Sequence, residues 1–375
     1  MALLGKLLPL FFLLVVDPIS ALQSATATLL SRYDFLLKGA SVVPVGLASA
    51  LPSSTLLAAN YPYVDILQIP LTFLPRGGCL AVKLSLLDDR SYSQRIFGYF
   101  AICDTGSPFV TAPPTITRFS KDESRRFPPT KEQYGQTVGS MQWRSVPNIE
   151  ILSNNYETPL TLAKLTVGLP ESNVVDTTGG IFLGLIWKDD SRPRFLHQCG
   201  YTSFVLDYKQ RLLTLSKQST VAASDPATLQ LFDFSPYGKD VYHYGVECQA
   251  ITLLQHQKNP EVILSLKRPV IAVIDSGLTG CIFSDSLRDD ILLSGVYETG
   301  FTLEKVIGLQ VNLTSINGKT LTLSTNPKYW SLSCFKLPWF DNDETHPHVI
   351  ACGATFLADS KICIDAARGR AKIEL

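Results

Sequence analysis

Two short stretches of this chain place an acid, a small hydroxyl residue and a glycine in immediate succession. The first is Asp104-Thr105-Gly106-Ser107, behind the apolar run Phe97 to Cys103; the second is Asp275-Ser276-Gly277, behind Val270-Ile271-Ala272-Val273-Ile274. One such triplet arises readily by chance. Two, each closing a hydrophobic run in its own half of the chain, suggest that the fold brings two carboxylates together. Carboxylates held a few ångströms apart cannot both ionise cheaply, so they share a proton and titrate as a pair. One member is then a base and the other an acid, which suits proton transfer to and from a bound water.

The elements that must position these acids read as strands. From Tyr61 onward, short runs rich in Val, Ile, Leu, Phe and Tyr alternate with Pro, Gly, Asn, Asp and Ser clusters, as at 64–69, 80–84 and 97–101. Helical patterns are scarce; 284–293 is a short candidate, with Leu287, Ile291 and Leu292 apolar and Asp285 placed to cap its start. Spacing then reveals an internal repeat. Gly184 closes the apolar segment Ile181-Phe182-Leu183 80 residues after Asp104, and Gly353 closes Val349-Ile350-Ala351-Cys352 78 residues after Asp275. Glycine at these places lets a strand backbone pass close to an acid-bearing turn, where a Cβ would collide. The small, polar stretch Ser216 to Pro226 reads as the connection between the halves.

Composition bounds the function classes. With 375 residues, 46% hydrophobic and 18% charged, the chain is globular and long enough for two cored domains. Thirty-three basic and thirty-three acidic residues cancel, which removes the electrostatic argument for nucleic acid or an anionic membrane surface as partner. Eight cysteines suit passage through an oxidising compartment. Residues 1–21 read as a secretory signal peptide: Lys6, the apolar run Leu7 to Val16, the breaker Pro18, and cleavage after Ala21. That run of ten residues is short of the roughly 20 needed to span a bilayer, so no stable membrane span is expected after cleavage. Residues 22–60 resemble a second targeting segment with its own small-residue site, Ala48-Ser49-Ala50, and equally suit a pro-segment or spacer. A secreted, vacuolar or other endomembrane destination is expected; the plastid of a complex-plastid alga is the alternative. The remainder divides into an N-terminal lobe, 61–218, and a C-terminal lobe, 219–375, with one acid each.

Taken together, residues 75 to 375 resemble the pepsin-like aspartic proteases. Cys103-Asp104-Thr105-Gly106-Ser107 and Ile274-Asp275-Ser276-Gly277 resemble the two catalytic motifs, and Ile181 to Leu185 resembles the segment that crosses behind the first. Ala351-Cys352-Gly353-Ala354-Thr355-Phe356-Leu357, followed by 363–370, resembles the closing signature. The resemblance implies a mainly β, bilobal fold of two pseudo-symmetric β-barrel-like lobes with a central cleft. It implies an aspartic-type endopeptidase acting as a monomer on protein or peptide substrates, without metal or cofactor. Asp104 and Asp275 would be catalytic. The ionised acid takes a proton from a bridging water, the water attacks the peptide carbonyl, and the protonated acid supplies a proton to the developing oxyanion. Which acid starts protonated stays open.

The resemblance assigns supporting roles as well. Thr105 and Ser276 would hydrogen-bond across the dyad, Gly106 and Gly277 would complete the turns, and Ser107 would donate to the outer oxygen of the first acid. The alternative for the hydroxyls is ordinary turn chemistry. A flap is expected at 133–140, with Tyr134 as its tyrosine and Gly135 in its turn. The family's tryptophan seven residues after the first acid is replaced by Thr111, which leaves Trp143 as candidate partner for Tyr134. Leu278 stands where a second hydroxyl donor is usual, and its loss is expected to raise the carboxyl pKa of Asp275. Asn312-Leu313-Thr314 is a possible glycosylation site in a secreted chain. His346 and His348 with Asp341, Asp343 and Glu344 read as a solvated acidic loop rather than a metal cluster. Cys103 and Cys352 read as small buried apolar residues. The reading from a different class is a silent pepsin-fold binding or inhibitor protein, to which Leu278, Thr111 and the irregular flap point.

Overall fold

The computed structural model describes residues 65–87, 95–134, 137–151, 160–170, 181–188, 192–237, 242–255, 261–264, 268–293, 303–337 and 343–375. The signal peptide, the 22–60 segment and Gly135 lie outside them. Strands dominate, and they form three sheets. Eight strands drawn from residues 72–184 make one, and eight drawn from 245–352 make another.

The third sheet joins the two halves of the chain. Its six strands run Ile66–Pro70, Leu212–Ser216, Ser203–Asp207, Lys361–Asp365, Arg370–Glu374 and Leu229–Gln230 in spatial order. Its middle is the antiparallel pairing of Ser203–Asp207 with Lys361–Asp365. The stretch expected to be a connection is docked against this sheet. The Thr220 hydroxyl lies 2.5 Å from that of Ser203, Ser219 bonds to Asp365, and Asp225 pairs with Lys372 at 2.6 Å. Small polar residues are there because they bond to the sheet, not because the segment is a free linker.

Five strands and one helix position the acids. Strand β1, Arg95–Asp104, has Tyr99 buried between exposed Gly98 and Phe100, then buries every residue from Ala101 to Asp104. The change comes where it gains a parallel neighbour, β2, Phe182–Gly184, because a strand covered on both faces has no solvent side to fill. Strand β3, Val270–Ile274, is buried at all five positions for the same reason. Strand β4, Cys281–Ser284, leads into helix α1, Asp285–Leu293, which buries Leu287 and Ile291. The cap differs from expectation. Ser284, not Asp285, accepts the Leu287 N–H at 3.3 Å, since its hydroxyl sits one residue before the helix. Strand β5, His348–Cys352, lies parallel to β3 and antiparallel to β4.

Candidate active site

Each acid ends a strand and is held from behind by a glycine. Asp104 closes β1 opposite Gly184 of β2, and the turn that follows folds across that glycine. A Cβ on Gly184 would stand 2.4 Å from the Phe109 nitrogen and 2.5 Å from the Ser107 carbonyl oxygen. Asp275 follows β3 and donates its backbone N–H to the Cys352 carbonyl of β5 at 3.0 Å. There Gly353 plays the same part: its Cβ would fall 2.4 Å from the carbonyl oxygens of Leu278 and Gly280. A side chain at either glycine would push the acid-bearing turn off its strand.

The two turns grip one another. Thr105 Oγ1 donates to the Ile274 carbonyl at 2.7 Å, and Ser276 Oγ donates to the Cys103 carbonyl at 2.7 Å. Each hydroxyl also accepts from the opposite turn, Thr105 Oγ1 from the Ser276 N–H at 2.9 Å and Ser276 Oγ from the Thr105 N–H at 3.1 Å. Both side chains are fully buried. The glycines that follow leave room for the carboxyls. A Cβ on Gly106 would lie 2.8 Å from Asp275 Cγ, and one on Gly277 would lie 2.5 Å from Asp104 Oδ1. The structure therefore brings Asp104, Thr105, Gly106, Asp275, Ser276 and Gly277 into one cluster.

Electrostatics follow from that closeness. Burial, and then the charge of Asp275, push the Asp104 carboxyl well above the usual carboxylate range, against the N–H groups of Gly106 and Gly277. Burial also raises Asp275, offset in part by Asp104 and by backbone N–H groups, Gly277 foremost. The two acids face one another across the turns, so they titrate as a pair rather than separately. Asp104 is 6% exposed, and Asp275 is half-buried.

Two expectations about the neighbours change. The Ser107 hydroxyl is buried and makes no hydrogen bond among the described residues, so it is not the donor to Asp104; the Gly106 N–H fills that place at 2.7 Å. Leu278 brings no hydroxyl to Asp275: its backbone N–H donates to the Asp275 main-chain carbonyl at 3.2 Å, and the carboxyl takes the Gly277 N–H at 3.1 Å. Trp143 is not available to a tyrosine hydroxyl either. Its indole N–H donates to the Pro128 carbonyl at 3.0 Å, and its ring packs edge-on to Phe109 at 4.9 Å. Thr111 is buried, and its hydroxyl oxygen accepts the Phe182 N–H at 2.6 Å. Tyr134 ends the strand Thr130–Tyr134, paired in register with Thr137 of Thr137–Ile151, and residues 135–136 lie outside the described residues.

Cys79 is the neighbour that sequence reasoning missed. It begins the strand Cys79–Leu87 after a glycine with φ +68°, and its thiol donates to the Gly77 carbonyl at 3.3 Å, 3.9 Å from that of Gly277. Burial and the two acids push it up to about 12, so it is a neutral wall of the site. The available signal was the pair Gly77-Gly78, a tight approach just before a strand.

Other candidates separate from the cluster. His348 is fully buried at the start of β5, not in a solvated loop, with Nδ1 3.0 Å from the Ser286 hydroxyl and Nε2 2.9 Å from Asp290. His346 stands edge-on to Tyr237, 3.6 Å from Asp343, and Asp341 lies outside the described residues. Among the described residues no group of His, Cys, Asp and Glu could hold a metal ion. Asn312 lies within the strand Val306–Thr314 and accepts a hydrogen bond from Thr322 at 2.8 Å. Cys103 and Cys352 are buried free thiols.

Comparison with solved structures places this architecture. Basic 7S globulin from soybean matches with a TM-score of 0.52 and 12% identity, over 83% of this chain and 95% of that one. The structure named edgp matches with a TM-score of 0.52 and 10% identity, over 82% and 94%. The chain has a pepsin-like fold. No family model and no curated protein matches the sequence. Among the described residues, no helix is long and apolar enough to cross a membrane.

Proposed function

We propose that this chain is an aspartic-type endopeptidase that hydrolyses internal peptide bonds with a water activated by Asp104 and Asp275. The observation that supports it is the reciprocal grip of Thr105 and Ser276, which sets two acids face to face with glycine on either side. A pair that shares one proton has a base for the water and an acid for the carbonyl oxygen. The water would sit between the carboxyls, reached through the more exposed Asp275. As the water attacks, its proton passes to the ionised acid. The protonated acid then donates to the oxyanion to give a gem-diol; as the C–N bond breaks, one acid gives its proton to the leaving amine and the other takes a proton back from a diol hydroxyl, which restores the single shared proton. A secretory route fits an enzyme of this kind and the amino-terminal segment.

The comparisons favour a second reading, a pepsin-fold protein with a silent cleft that binds rather than cleaves. Neither similar structure is named as a peptidase. Leu278 and Thr111, each in place of a residue usual in the resembled family, also belong to this reading. Incubation with a denatured, alkylated protein from acid to neutral pH separates the two. Fragments that disappear in Asp104→Asn and Asp275→Asn, with a loss of about 1,000-fold or more, support the endopeptidase. Intact substrate throughout, from a folded sample with residues 1–60 removed, overturns it in favour of the binding protein.

A further inference from the structure

The strand pair behind the second acid carries two cysteines that the proposed chemistry does not use. Cys281 of β4 and Cys352 of β5 are direct partners across antiparallel strands, and each is 1% exposed. The hydrogen bonds around them define the kind of pair. The Gly353 N–H donates to the Gly280 carbonyl at 3.0 Å, which makes the adjacent position the bonded one. At the cysteines the backbone groups turn outward instead. The Cys281 N–H goes to Ser331 at 2.8 Å, and the Cys352 carbonyl accepts from Asp275 at 3.0 Å. Cys281 and Cys352 thus occupy a non-hydrogen-bonded position, where antiparallel Cα atoms approach to about 4.5 Å and side chains share a face. Disulfides span Cα separations of about 4.4 to 6.8 Å.

Competing partners are less well placed. Cys334 lies across the other edge of β4, in register with Phe283, two residues along from Cys281. Cys248 is opposite Val270, at the far end of β3 from the acid.

We propose that Cys281 and Cys352 form a disulfide that staples β4 to β5 behind Asp275. Both are thiols in the structure. The bond forms by exchange with a small-molecule or protein disulfide: one thiolate attacks it to give a mixed disulfide, and the second displaces the remaining donor sulfur. The two cysteines lose two protons and two electrons, and the donor leaves as two thiols. Exchange needs a thiolate, and burial pushes both thiols well above their ordinary range in the folded chain. Bonding therefore accompanies folding, before the strands are covered, and the finished bond resists reduction.

The test is disulfide mapping. The full chain is denatured, reduced, refolded with oxidised and reduced glutathione, then alkylated under denaturing conditions without reductant. Trypsin places Cys248, Cys281, Cys334 and Cys352 in separate peptides, because a Lys or Arg lies between each successive pair. The expected product is the Cys281 peptide joined to the Cys352 peptide, lighter by two hydrogens than the free pair. Alkylation of both cysteines, or Cys281 joined to Cys334 or Cys248, overturns the proposal. A second measurement is the thermal midpoint, expected to be about 5 °C higher after oxidative than after reductive refolding. That difference should vanish in the C281A/C352A variant; equal midpoints in the unsubstituted chain overturn the staple.

Discussion

The turn after β1 and the turn after β3 are built on the same plan and supplied differently. Each is an acid, a hydroxyl residue and a glycine, and each rests on a further glycine, Gly184 within a parallel strand or Gly353 just past one. Each hydroxyl spends its proton on the other turn's backbone. The surroundings diverge. Asp104 is buried and neighboured by Ser107, whose hydroxyl has no partner among the described residues, whereas Asp275 is half-buried and takes the Gly277 N–H. Geometry is thus shared, while proton affinity is tuned on each side by burial and by backbone donors.

The largest effect should come from the shared part. Gly184→Ala and Gly353→Ala each place a methyl 2.4 Å from backbone atoms, and backbone cannot swing aside as a side chain can. Each should destabilise by about 3 kcal/mol in urea unfolding. Losses of equal size support one plan used twice; a tolerated alanine on one side would break the comparison there.

A smaller effect should appear in the pH dependence of stability. Both carboxyls are raised in the folded chain above the ordinary 3.8. The folded state therefore binds more protons than the unfolded one, so the stabilisation is complete below that value and is lost as pH rises through the raised pair values. Asp104→Asn removes the more buried carboxylate. It should raise stability at neutral pH by about 1 to 3 kcal/mol and flatten the profile, with a smaller gain for Asp275→Asn. Denaturant melts across pH would show the opposite order if burial does not set the difference.

The smallest effect concerns Leu278. Burial is the largest cause of the raised Asp275 carboxyl, so Leu278→Thr should shift its titration, followed by NMR, by less than about half a unit. An acid shift above about one unit would mean that the side-chain hydroxyl dominates after all.

These contrasts mark what the sequence could carry. Two acid-hydroxyl-glycine triplets at matched distances from Gly184 and Gly353 located both turns, because close backbone approach leaves glycine as its trace. The continuous apolar run 270–274 likewise announced a strand covered on both faces. The donors to the acids were illegible, since Gly106 and Gly277 act through N–H groups that every such residue carries. Counting hydroxyls made Ser107 a donor, and a backbone N–H takes that place. Cys79 was hidden for another reason: its strand meets the dyad only after the chain has folded. His348 looked solvated beside Pro347 because its partners, Ser286 and Asp290, are 62 and 58 residues away.

The six-stranded sheet bears on how the protein is made. Residues 361–374 supply two adjacent strands near its centre, inserted between strands from residues 203–216 and 229–230. A nascent chain still lacking them has a gap where the Ser203–Asp207 edge should be covered. The ribosome must therefore deliver those strands before this sheet closes. Synthesis order itself delays the finished sheet until residues 361–374 have emerged.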